Sequence, residues 1–172
     1  MNIDLDELIT IPAPADLTGC SLADLRTIRD HHQDVENGLS YARRIVQGRL
    51  DTVATEMERR RDGGAEGLIE RLPGALAGHS RGPGLPRPMP DLEPPAWADD
   101  LLAGADMGLS TSQMAGLSEL DESELERAAV ALGSLERELS DARHQMHRGI
   151  DRVQDELVGR YRSGATVDDL LR

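Results

Sequence analysis

Two stretches of about 40 residues run without proline and carry apolar side chains at steps of three and four, which only an amphipathic helix uses. In the first they are Leu25, Ile28, Val35, Leu39, Ala42, Val46, Leu50, Val53 and Met57. In the second they are Leu125, Ala128, Leu132, Leu135, Leu139, Ala142, Met146, Ile150, Val153 and Leu157. Ser21 stands where an N-cap belongs, with Asp24 in the first turn to favour the helix dipole. Asp121 and Glu124 have capping-box spacing. Gly63–Gly64 and Ser163–Gly164 mark the far ends. Each helix would be roughly 60 Å long.

Between them, seven of the nine prolines fall between Pro73 and Pro95. Such a stretch reads as a linker, with short helical turns possible at Glu66–Leu72 and Trp97–Ala103. The expected organisation is an acidic tail over 1–20, a first long helix over 21–61, a Pro/Gly-rich linker over 62–117, a second long helix over 118–163 and a tail over 164–172. Within the first tail, Asp4–Ile11 could form a short helix or strand that Pro12 and Pro14 stop. The fold class is all-α: an antiparallel two-helix coiled-coil hairpin with flexible tails. The chain has no Phe, one Trp and two Tyr, so its core must be narrow and aliphatic. Trp97, in the acidic run WADDLL, is a candidate docking spot for a partner.

The two helices also match each other at an offset of 100 residues. Glu36, Ser40, Arg43, Gln47 and Asp51 fall on Glu136, Ser140, Arg143, His147 and Asp151. Both read E-x3-S-x2-R-x3-(Q/H)-x3-D. Each member follows a seam residue by one position, about 100° around the helix, so the stripe faces the edge of the groove between helices. A solvated face tolerates any polar residue, and neighbouring exposed positions have diverged (Asn37 against Arg137, Tyr41 against Asp141). The stripe has changed only at His147. If the stripes are centred on each other, Glu36 faces Asp151, Gln47 faces Ser140 and Asp51 faces Glu136. Stripes running in opposite directions share a pseudo-two-fold axis, which suits a two-fold symmetric ligand or a pair of ligands. An Arg fork suits phosphate or guanine O6 and N7, and a carboxylate accepts from guanine N–H groups, so a guanine nucleotide fits this donor set.

The doubled stripe resembles that of the RsiG family of actinobacterial anti-sigma factors. The resemblance covers the two helices, roughly 80 residues, and leaves the tails and linker unplaced. It implies an antiparallel coiled coil that holds two intercalated cyclic di-GMP molecules, one per stripe. The loaded protein would bind a WhiG-type sporulation sigma factor and keep it from core polymerase. The ten stripe residues would be the ligand contacts. His147 departs from the family's Gln; an imidazole can replace an amide but reaches less far, and protonation would make affinity pH-dependent.

A formal charge of −13 argues against direct nucleic-acid binding and suits a protein that covers a basic partner surface. The lone Cys20 excludes a disulfide framework. His144, His147 and Asp151 have one-face spacing, but no HExxH or cysteine set accompanies them, so no metal is expected. His31 and His32 read as surface or seam-edge residues. Walker, GxSxG and Cys–His motifs are missing, so enzymatic activity is not expected. No run is long enough to span a bilayer, and a cytoplasmic location is expected. The competing readings are a nucleotide-independent acidic helical-hairpin interaction module and a hairpin that pairs into a four-helix bundle.

Overall fold

The computed structural model describes residues 17–62 and 97–163, together with Ile9 and Pro95. The expectations for Asp4–Ile11, Glu66–Leu72, most of the proline-rich stretch and the C-terminal tail lie outside these residues. Every element among the described residues is helical, and none is a strand. The elements are a 3-10 turn at Leu17–Gly19, α1 at Leu22–Arg61, α2 at Ala98–Gly108, α3 at Thr111–Ala115, a 3-10 turn at Leu117–Glu119 and α4 at Glu122–Arg162.

Both long helices begin at a reciprocal capping box. Ser21 accepts from the Asp24 backbone N–H while Asp24 accepts from that of Ser21. Asp121 and Glu124 do the same at α4. Each box satisfies two donors that a helix start otherwise leaves unpaired. Arg59, Arg60 and Arg61 in the last turn of α1 complement its dipole.

α1 and α4 pack antiparallel along the apolar seam. Leu25, Leu39, Val46 and Val53 of α1 and Leu125, Leu132, Leu139 and Val153 of α4 are fully buried. Each such leucine stabilises the pair by about 1.5–3 kcal/mol relative to exposure. His32 fills a seam position too. It is buried and packs against Gly149, whose missing Cβ leaves room for the ring: an ideal Cβ there would sit 3.1 Å from His32 Nδ1. The surface or seam-edge expectation for this histidine is therefore corrected to a core position, while His31 is half-buried.

Further expectations change. The register is not the centred one: Glu36 meets Arg143 and His147 rather than Asp151, and Glu136 meets Arg43 rather than Asp51. The partners of Glu36 lie about one to two turns earlier on α4 than stripe centring requires. The seam decides this, because side chains spaced by three and four interlock equally well after such a slide, and burial of the apolar rows outweighs alignment of half-exposed polar ones. The plain two-helix hairpin also gives way, since 98–119 is not linker. Leu101, Ala105 and Leu109 bury against the long pair, and Leu117 joins the same core. α2 lies over one flank of the seam. Trp97 rests its ring on Gly38, Arg49 pairs with Asp106 at 2.7 Å, and Gly104 faces Leu135. Trp97 is therefore half-buried within its own chain and is not an open docking spot.

Candidate functional site: two crossed polar clusters

Gly38 and Arg49 each precede a seam residue by one position, whereas the stripes follow the seam by one. α2 therefore covers the flank opposite the stripes. Glu36 is buried, Asp151 is exposed, and the other eight stripe residues are half-buried.

The stripes cross into two clusters related by the pseudo-two-fold axis. In one, Glu36 Oε1 accepts from Ser40 Oγ at 2.7 Å and from Arg143 Nε at 3.0 Å, and His147 Nε2 lies 3.3 Å away. Gln33 Nε2 donates to the other carboxylate oxygen at 3.3 Å. In the second, Glu136 Oε1 accepts from Ser140 Oγ at 3.0 Å and from Arg43 Nη1 at 3.1 Å. Arg43 Nη1 also donates to Gln47 Oε1 at 3.1 Å. Each cluster thus takes Glu and Ser from one helix and Arg from the other.

The symmetry breaks where the sequence does. Gln47 offers an amide oxygen to the arginine on its own helix. His147 has no such oxygen and points instead at Glu36 across the groove. Asp51 and Asp151 stand one turn beyond the clusters. Asp51 is half-buried, and its backbone carbonyl accepts from Thr55 Oγ1 at 2.8 Å. The crossings themselves are made by Glu36, Ser40 and Arg143 and by Glu136, Ser140 and Arg43.

One atom in this groove is out of balance. Arg43 Nε is shielded from solvent and has no hydrogen-bond partner, although the same guanidinium is engaged through Nη1. A buried donor left unpaired costs about 1–3 kcal/mol, and charged groups cost more. An acceptor reaching this edge would recover that penalty. The residues therefore fit a ligand that brings oxygen acceptors to the arginines and donors to the glutamates, as a guanine nucleotide does.

The repeat extends to features that stripe spacing did not reveal. Glu56 is fully buried and holds Arg59 and Arg60 at 2.7 and 2.8 Å. The hydrogen bonds from Arg59 first, then the one from Arg60, hold the Glu56 carboxyl below its ordinary range against the opposing effect of burial. Arg60 Nη2 donates to the carbonyls of Leu117, Ser118 and Leu120. One hundred residues on, Arg160 pairs with Glu156 and donates to the carbonyls of Leu17, Thr18 and Cys20. Each arginine ties the end of one long helix to the turn that opens the other. The identities Glu56/Glu156, Arg60/Arg160 and Leu17/Leu117 were present in the sequence as a signal at the same offset.

Residues 11–76 match the model of the RsiG-like family. The RsiG-like match spans α1 with its complete stripe, while α2, α3 and α4 lie outside it. No curated protein matches the chain. No described helix is long and apolar enough to cross a membrane.

Proposed function

We propose that this RsiG-like chain is an anti-sigma factor that sequesters a WhiG-type sporulation sigma factor when loaded with cyclic di-GMP. The RsiG-like match supports the anti-sigma role. The ligand reading rests on the crossed clusters and above all on Arg43, whose buried Nε has no protein acceptor. In this reading two messenger molecules lie along the groove. Arg43 and Arg143 take phosphate or guanine acceptors, Glu36 and Glu136 take guanine N–H donors, and Ser40, Ser140, Gln47 and His147 complete the polar lining. Asp51 and Asp151 flank it. The protein supplies no catalysis; it binds, and the loaded surface holds the sigma factor away from core polymerase.

A second reading has an observation of its own. The glutamates and arginines already pair with one another across the helices, so the stripe could be only an inter-helix lock in a nucleotide-independent interaction module. Isothermal titration separates the two. Wild-type chain is expected to bind cyclic di-GMP saturably, near two molecules per chain. Changing both Arg43 and Arg143 to Lys keeps a cation for each glutamate but removes the planar fork. Binding should then collapse while helical circular dichroism and thermal stability change little. Unaltered affinity in that variant, or no binding by the wild type, would leave the lock alone.

A further inference from the structure

The two most exposed large hydrophobic side chains among the described residues are Met107 and Val130, at 80% and 72%. They flank one furrow. Met107 and Gln113 face Arg127 and Ala131 across a cavity of about 290 Å³. Val130, Glu126 and Ser123 line a neighbouring hollow of about 450 Å³ that shares Arg127 and Ala131. Arg127 is laid along its own helix by a hydrogen bond from Nε to the Ser123 carbonyl, so its stem forms part of the floor. Ser123, Arg127, Val130 and Ala131 follow one another at helical spacing, which makes the furrow a strip rather than a spot.

The rim is acidic. Glu126 lines one hollow and is exposed, Glu124 lines the other, and the chain as a whole carries a formal charge of −13. Two copies of such a surface repel, which disfavours self-association. A helix with an apolar stripe and basic flanks satisfies both the floor and the rim. The furrow lies on the first third of α4 and the α2–α3 corner, away from the stripe clusters at 36–47 and 136–147.

We propose that this furrow docks a basic amphipathic helix of the protein partner, with Val130 and Met107 as its apolar anchors. The proposal rests on the reading that the chain sequesters a protein, and adds where it does so. Both anchors are exposed, so Val130→Asp and Met107→Asp leave the core intact.

The test uses the full chain loaded with cyclic di-GMP and a purified WhiG-type sigma factor. Each Asp variant should weaken the complex by about tenfold or more, with messenger binding unchanged. Sigma-factor affinity indifferent to both variants overturns the proposal. A second arm does not depend on the sigma factor: an 18-residue Leu/Lys helical peptide, with a Leu/Glu peptide as control, is titrated against chain carrying labelled methionine methyls. The Lys peptide should shift the Met107 methyl, the Glu peptide should not, and Val130→Asp should abolish the shift. A shift with no sigma-factor binding by the wild type keeps the surface and removes the sigma-factor assignment. An unmoved Met107 signal overturns the surface. A concentration-dependent dimer in sedimentation, abolished by Val130→Asp, would assign the furrow to a second copy and also overturn it.

Discussion

Gly38 shows how much one missing carbon decides. Replacing a helical glycine with alanine ordinarily stabilises by about 1 kcal/mol. At Gly38 the new Cβ would lie 2.6 Å from Trp97 Cζ2 and 2.9 Å from Cζ3, so the indole must leave or α1 must shift. Overpacking of this kind costs about 1–3 kcal/mol, which exceeds the helix gain. Gly48 has nothing within 4 Å of an added Cβ. Gly38→Ala should therefore lower the melting temperature and red-shift the emission of the single tryptophan, while Gly48→Ala should raise it and leave the emission alone. His32 carries a different prediction. Burial first, and the neighbouring His31 second, push its pKa below the ordinary histidine value. The folded protein then binds fewer protons at this site than the unfolded chain, so stability rises with pH across this range. It should fall as pH drops below about 6.5, the ordinary histidine range. His32→Leu, which installs the residue found at Leu132 in the repeat, should flatten that part of a denaturation–pH profile. An unchanged slope would place the titration elsewhere.

The elements were legible to different degrees, for physical reasons. A helix start depends on neighbours within four residues, so Ser21 with Asp24 and Asp121 with Glu124 could be read directly and act as caps in the structure. Register depends on which of several equivalent slides buries most, and steps of three and four do not distinguish them; stripe centring chose the wrong one. α2 was legible only as a short turn at Trp97–Ala103; its full eleven residues and its packing were not, because they follow prolines and hold only a short apolar face, Leu101, Ala105 and Leu109, whose meaning depends on the flank it covers. The arginine ties were missed because Glu56 and Arg60 look like solvated helix-end charges until the turn at 117–120 arrives beside them. These ties should be unequal. Glu56 is fully buried, whereas the Glu156 side chain is 28% exposed and better solvated. Arg60→Ala removes one of the two cations held by Glu56 and strands three carbonyls, a loss on the order of 2 kcal/mol. Arg160→Ala should cost less, because water reaches Glu156. Urea melts of the two variants would rank them, and equal midpoints would contradict the role assigned to burial.

At the scale of the whole molecule, one pseudo-two-fold axis relates the caps, the seam, the crossed clusters and the arginine ties, and α2 covers one flank of it. The same crossing must then serve stability and, in the proposed function, ligand recognition. Charge reversal can separate the two. Arg43→Glu alone sets two carboxylates against each other over a half-buried groove, and Glu136→Arg alone does the same with two cations. Each should destabilise. The double swap restores an ion pair at the same crossing, so a double-mutant cycle should return a favourable coupling of about 0.5–3 kcal/mol. No such coupling is expected between Asp51 and Glu136, the pair that stripe centring would have joined. The swapped chain should nevertheless fail to bind cyclic di-GMP at that cluster, because the cation and the carboxylate have exchanged helices and left the Ser140 and Gln47 positions each was set against. Titration should then fall from near two molecules per chain to at most one. A swapped chain that folds, couples and still binds two would show that the groove reads only the presence of an ion pair, and the stripe order would lose its meaning as a recognition code.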